Sequence, residues 1–357
     1  MDANANSDTP DGTFQKAFKT ISEGLAAATE CVRVRQGTYR ELLTASPAHV
    51  LDVFGVDGAQ YTTVDGTGLG GSVLSATRGA SMTLTGFTLT GGGGTEGHQN
   101  VDGDNFDTYN GGAVYLVAST LDIKDSVITA NVLPGYLTPS AGVGRNSFGG
   151  GIFASGGKLT LEGVTITSNY AVNGGAIQAS AANLEATHVT IKQNSAVYGP
   201  ALGLDTSATA TLTNTLVAEN TGTVSGGISV TGATLSLINT TFQDAYEGIM
   251  LDDAYGVNHV SLDSSILWSS QSGIWEIDGS STVFDAKYSD VYAGNEAWIG
   301  LTDPTGTNGM LSQDPGLHFD YTLADGSPCI DSGDPALRDA DGSGPEMGAW
   351  GGPGSIW

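Results

Sequence analysis

Two glycine-rich stretches carry most of the residues whose types could do chemistry. Residues 91–110 read GGGGTEGHQNVDGDNFDTYN, and residues 132–149 read VLPGYLTPSAGVGRNSFG. The first supplies His98, Asp102, Asp104, Asp107 and Tyr109, and the second supplies Tyr136 and Arg145. A carboxylate pair among them could divide the acid and base roles of glycoside hydrolysis. Arg145, His98 and Tyr109 are side chains of the kind that abstract a proton in a polysaccharide lyase or neutralise a substrate carboxylate. Asp102, Asp104 and Asp107, in D-G-D-N-F-D, present several hard oxygens at short spacing, which is the donor chemistry of Ca²⁺. The loop is not an EF-hand, since no Glu closes it at the twelfth position. Asp339 and Asp341, with Glu346 nearby, form a second Ca²⁺ candidate that reads equally well as an Asp-Gly turn. His49, His188, His259 and His318 have no ligand spacing and read as surface or turn residues. No nucleophile elbow, Walker loop or dinucleotide fingerprint stands between a strand and a helix.

The elements that must hold these residues repeat. GGAVYLVASTLDIKDSVITAN starts at Gly111, GGIFASGGKLTLEGVTITSN at Gly150 and GGAIQASAANLEATHVTIKQN at Gly174. Further copies start at Gly199, Gly226, Glu247 and Ser272. Their equivalent aliphatics are Val114, Ile152, Ile177, Leu202, Ile228, Ile249 and Ile274, at spacings of 21–26 residues, with one of 38 that marks the 132–149 insertion. Within each copy, Thr, Val, Ile and Leu alternate with period two, which is strand chemistry. No copy has room for a helix. Short strands stacked copy on copy describe an all-β, parallel β-helix solenoid of about ten coils. A propeller blade would need about forty residues and four strands.

The turns fit that reading. Asn131, Asn169, Asn194 and Asn220 hold one position in four coils, where Asn tolerates a left-handed bend and stacked amides can bond along the axis. With the aliphatics inward, Tyr115, Phe153, Gln178, Gly203, Ser229, Met250 and Trp275 point outward and form one row along a face, with Tyr115, Phe153 and Gln178 as neighbours. Exposed aromatics in a row suit the apolar faces of sugar rings. The ligand-binding candidates are therefore Tyr115, Phe153, Gln178, Tyr136 and Tyr109, flanked by the two insertions.

The chain reads as one domain over 1–357, with an N-terminal cap over 11–30, coils over 31–294 and an irregular C-terminal cap over 295–357. Phe14, Phe18, Ile21 and Leu25 share one helical face, so a helix over 14–28 closes the first coil, whose apolar interior and strand edges would otherwise be open. The 53 glycines follow no collagen period, and 39% hydrophobic residues suffice for a core. A net charge of −26, with 12 Lys plus Arg, leaves no basic field for nucleic acid or an anionic membrane. No apolar run is long enough to span a bilayer. The chain begins without the apolar stretch of a signal peptide, as expected of a cytosolic protein or of a mature form whose leader has been removed. Cys31 and Cys329 are too isolated for a disulfide framework or a metal site and read as separate thiols.

These coils resemble the right-handed parallel β-helix, or pectin-lyase-like, superfamily. GGAI followed by T-S-N or K-Q-N is similar to the repeats of polymorphic outer-membrane proteins, which carry GGAI and FxxN motifs. Here Ile128, Ile166, Ile191 and Val217 stand in place of the Phe. F-K-T-I-S-E-G-L-A-A-A through G-T-Y-R-E-L resembles the opening of many secreted β-helix proteins. S-P-C-I-D-S-G-D-P and D-A-D-G-S-G-P-E-M-G-A-W-G-G resemble the C-terminal piece of bacterial surface β-helix proteins. With the aromatic row and the acidic composition, this fold reads as a secreted or cell-surface monomer that binds a glycan or a partner surface in the manner of an adhesin, without catalysis. The alternative is a polysaccharide lyase or glycoside hydrolase acting at the face of loops 91–110 and 132–149. A passive spacer remains if the aromatic row is buried.

Overall fold

The computed structural model describes residues 1–4, 10–45, 47, 50–101, 104–136, 138, 144–224, 226–244, 247–277, 281–339 and 342–352. Asp102 and Asp341 lie outside them. The chain divides into two compact units, Met1–Asn183 and Leu184–Trp357. Both are parallel β-helices in which a full coil contributes three short strands.

In the first unit, Gly37–Tyr39, Thr62–Asp65, Thr88–Thr90, Val127–Thr129 and Thr165–Thr167 stack in parallel as one face. The other two faces are carried by pairs such as Leu74–Thr77 and Ser81–Thr85. These pairs fuse into the single bent strands Val114–Lys124 and Ile152–Glu162. Val114, Ile152 and Ile177 are register partners and are fully buried. The period-two alternation thus delivers one aliphatic column to the interior, as the repeat requires.

The second unit repeats the plan. Thr190–Lys192, Leu216–Ala218, Thr241–Asp244, Ile266–Ser269 and Asp290–Ala293 form its single-strand face. Leu202, Ile228, Ile249 and Ile274 form its interior column. Among the described residues, five strands on this face in each unit match the expected count of about ten coils.

The asparagine corner has the expected amide stacking but not the expected bend. The left-handed residues are Ala130, Ser168, Gln193 and Glu219, each one position before the Asn. The asparagines are instead buried hydrogen-bond bridges. Asn131 donates its side-chain amide to Asn169 Oδ1 at 2.9 Å, and Asn194 donates to Asn220 Oδ1 at 3.0 Å. Each also donates to the carbonyl two residues back, so the corner's buried polar groups are satisfied. A second ladder occupies another corner of the second unit. There Thr240 N–H donates to Ser265 Oγ and Ser265 N–H to Ser289 Oγ.

Glycine is required where the chain turns into the outward row. At Gly149, with φ +65°, an added Cβ would meet the Ile152 carbonyl oxygen at 2.1 Å.

The capping helix α1 spans Ile21–Ala27 and is shorter than its apolar periodicity suggests. Thr20 and Glu23 form a capping box that fixes its start. Glu41 accepts from Ile21 N–H at 2.7 Å and Ser22 N–H at 2.9 Å, so a carboxylate faces the positive end of the helix. Ile21 and Leu25 are buried, whereas Phe14 is exposed and lies under the Arg35 guanidinium.

The C-terminal segment does more than close the last coil. It runs back along the second unit's single-strand face. Gln313 N–H donates to Asp290, Lys287 bridges Asp263 and Asp334, and Ala349 N–H donates to Thr241 Oγ1. Asn214 Nδ2 reaches the Gly351 carbonyl at 3.0 Å. Cys329 and Met347 pack on Ile266, and Ala349 packs on Leu216 and Ala218.

Candidate functional site

The insertion that looked like two loops is a small sheet. Thr95–Val101 and Asp104–Asn110 form an antiparallel hairpin, and Gly144–Phe148 adds in parallel to its second strand. The signal for the hairpin was in the sequence. Val101 pairs with Asp104, and the Asp-Gly dipeptide in the sequence between them is the strongest hairpin-forming signal.

Strand alternation sorts the candidate residues onto the two faces of this sheet. Glu96 pairs with Tyr109, His98 with Asp107, and Asp107 with Arg145, so these five share one face. His98 Nδ1 lies 2.8 Å from Asp107 Oδ1. The imidazole is 83% exposed, which makes the pair a solvated contact with little worth to stability. The Tyr109 hydroxyl bonds to Glu96. Desolvation, and then that carboxylate, push the phenol above its ordinary range, with Arg145 opposing. A phenol shifted upward is less ionised at neutral pH and so less available as a base.

Phe106 and Phe148 occupy the opposite face by the same alternation. Tyr136 stacks on Phe106 with centroids 6.0 Å apart, and Phe148 leans on Phe153 at 6.4 Å. Phe153 and Tyr115 are near-parallel, 5.9 Å apart with 10° between their planes. Both are half-buried, and Gln178 follows Phe153 in register. The aromatic platform therefore adjoins the Phe148 face, while the titratable cluster of His98, Asp107, Tyr109 and Arg145 points from the other. Glu96, Phe106 and Phe148 escaped the sequence reading because pairing inside an insertion has no repeat to reveal it.

The rest of the row is less open than alternation implies. Gln178 retains 5% exposure, Ser229 8% and Met250 7%. In the second unit Gly203, Ser229, Met250 and Trp275 are indeed register partners, and of these Trp275 is half-exposed.

The carboxylates proposed for Ca²⁺ are placed differently. Asp104 and Asp107 sit three apart on one strand and so face opposite sides of the sheet. Asp339 bonds to Glu346. Burial, then this contact, push Glu346 up to about 7, so Glu346 keeps its proton at mildly acidic pH. Among the described residues no three His, Cys, Asp or Glu side chains converge as a metal donor set.

No protein-family model matches the sequence, and no curated protein matches it. Solved structures do match in shape. Pectate lyase Pel9A superposes with a TM-score of 0.62 at 14% identity, over 98% of this chain and 94% of that one. The A-module of the mannuronan C-5 epimerase AlgE4 from Azotobacter vinelandii gives 0.37 at 14% identity, over 82% and 94%. A pectin methylesterase in complex with a hexasaccharide gives 0.35 at 11%, over 91% and 100%. The parallel stacking, the buried columns and the pectate lyase superposition together identify the fold as a right-handed parallel β-helix, the fold of that pectate lyase.

Proposed function

We propose that the first unit binds a polysaccharide along the coil face bearing Tyr115 and Phe153, without catalysis, outside the cell or at its surface. The observation that carries this reading is the pair of near-parallel rings at 5.9 Å, half-exposed and extended by Phe148. Rings held in register on a rigid sheet are pre-organised, so a sugar that lies across them costs little ordering. The shared fold with a pectate lyase makes a glycan the ligand class to test first. The test is a glycan array of acidic and neutral polysaccharides, run on the parent and on the Tyr115→Ala/Phe153→Ala double variant. The parent retains a glycan and the double variant loses it with its fold intact. Equal binding by both removes the platform.

A second reading rests on a separate observation. The His98–Asp107 hydrogen bond with Arg145 in register is a base, its orienting carboxylate and a cation on one surface. That set suits β-elimination from an anionic glycan. Absorbance of an unsaturated product on polygalacturonate or alginate decides for or against it.

A further inference from the structure

The second unit holds an aromatic cleft far in sequence from the platform. On its single-strand face, Ala218, Gln243, Trp268 and Tyr292 follow one another in register as an outward row. The turn Leu317–Tyr321 of the returning C-terminal segment stands beside this row. Between them lies a cavity of about 470 Å³, lined by Glu219, Gln243, Trp268, His318, Phe319 and Tyr321 together with Leu317. That volume falls within the range of roughly 300–1,000 Å³ typical of small-molecule sites.

The turn is rigid. His318 N–H donates to the Thr322 carbonyl at 2.8 Å, Ala324 N–H to Gly316 at 2.8 Å, and the Trp350 indole N–H to the Tyr321 carbonyl. Glu219 fastens it from the coil, accepting from the Tyr321 hydroxyl and from Gln193 Nε2. These bonds hold the Phe319 ring wholly in water, at 106% relative exposure. A large apolar ring kept in solvent by an ordered turn gives no stability to the fold, so its placement needs another explanation.

The polar groups around the rings point to the ligand. The Gln243 amide, the Trp268 indole N–H and the His318 imidazole have no side-chain hydrogen-bond partner among the described residues. Flat apolar faces edged by open donors and acceptors match a pyranose, which carries C–H faces and equatorial hydroxyls. No Lys or Arg lines the cavity, while Glu219 borders it and Asp320 sits in the turn. Lys192 lies one step along the row, in register with Ala218, where its charge is set against Glu219, so the lining favours an uncharged sugar. We infer that the Trp268–Phe319 cleft is a binding site for a neutral saccharide, with Tyr292 extending it to a second sugar along the row. This site is independent of the platform in the first unit.

The test uses the full chain and calorimetric titration with four neutral hexasaccharides: cellohexaose, xylohexaose, mannohexaose and laminarihexaose, with hexagalacturonate as the anionic comparator. At least one neutral probe binds the parent and the anionic one does not compete. Phe319→Ala, which removes only exposed atoms, weakens that binding by roughly tenfold or more. Gln243→Ala weakens it as well, and both losses persist in the Tyr115→Ala/Phe153→Ala background, where the platform contributes nothing. The inference is overturned if no neutral probe binds, if Phe319→Ala and Gln243→Ala bind as the parent does, or if hexagalacturonate displaces the neutral probe in that background. Loss only in the Tyr115/Phe153 variant would assign the neutral sugar to the platform instead.

Discussion

The Cys329 thiol donates to Asp290 Oδ2 at 3.4 Å, and both side chains are closed to solvent. Asp290 also accepts the Gln313 N–H at 3.0 Å, so one carboxyl gathers two points of the C-terminal segment. Burial pushes Asp290 up to about 6, with Gln313 and Cys329 opposing that rise. Between about pH 4 and 6 the folded chain keeps a proton that the unfolded chain has released. The stabilising contribution is therefore complete below pH 4 and is lost as pH rises through 6, by about 3 kcal/mol at most. Denaturant melts at pH 4, 5, 6 and 7 should show the parent losing stability relative to Asp290→Asn across that window. A constant difference between the two would contradict the assignment.

The same contact sets cysteine reactivity. Burial, and then Asp290, push the Cys329 thiol well above its ordinary range, whereas Cys31 is exposed. The thiolate is the reactive form, so a disulfide reagent at pH 8 should modify Cys31 in the native protein and Cys329 only after denaturation. Denatured, unreduced protein should titrate two thiols. Finding none would mean the two are joined.

Ile177 sits in the interior column of the first unit with no exposed surface. Its truncation to Ala should cost roughly 2–5 kcal/mol, the range for buried aliphatics that leave a cavity. Urea unfolding would show it as a lower midpoint at unchanged slope.

Asn131 is a different kind of core residue. Its Oδ1 accepts from Gly92 N–H at 2.9 Å while its amide donates to Asn169. Asn131→Ala strands the buried Gly92 N–H, while Asn169 Oδ1 keeps the residue-131 backbone N–H, and should cost about 1–3 kcal/mol. Asn131→Asp keeps the acceptor and loses the donor, so it should fall between the two unless the buried charge dominates. Melts of the three proteins at pH 4 and 7 separate these effects.

Catalysis, if present at the extruded sheet, depends on its charged face. Arg145→Ala or His98→Ala should then abolish the rise in ultraviolet absorbance on polygalacturonate while glycan retention persists. Retention without any absorbance change in the parent assigns the protein to binding alone.

The interior columns were legible because the period-two pattern and the coil length fix register together, as Val114, Ile152 and Ile177 illustrate. The asparagine position and its stacked amides were equally plain, but the bend lies one residue earlier. The bend is taken by Ala130 and Ser168, whose identity carries no turn signal, and the Asn supplies bonds that only stacking creates. The hydroxyl ladder of Ser265 and Ser289 is invisible among so many strand Ser and Thr residues. Of the candidate site, Tyr115 beside Phe153 followed from register alone. The separation of Phe148 from Arg145 needed the hairpin, and the burial of Met250 needed neighbours that alternation does not encode.

A solenoid of this design should unravel piecemeal, since each coil touches its neighbours at separations near one repeat. The returning segment alters that physics. Asn214 and Gly351 are bonded across 137 residues, and Thr241 and Ala349 across 108. Such ties close long loops, and so they slow the search for the native state while making its loss all-or-none. Melting of the second unit is thereby converted from a nearest-neighbour process, fraying coil by coil, into a single cooperative transition.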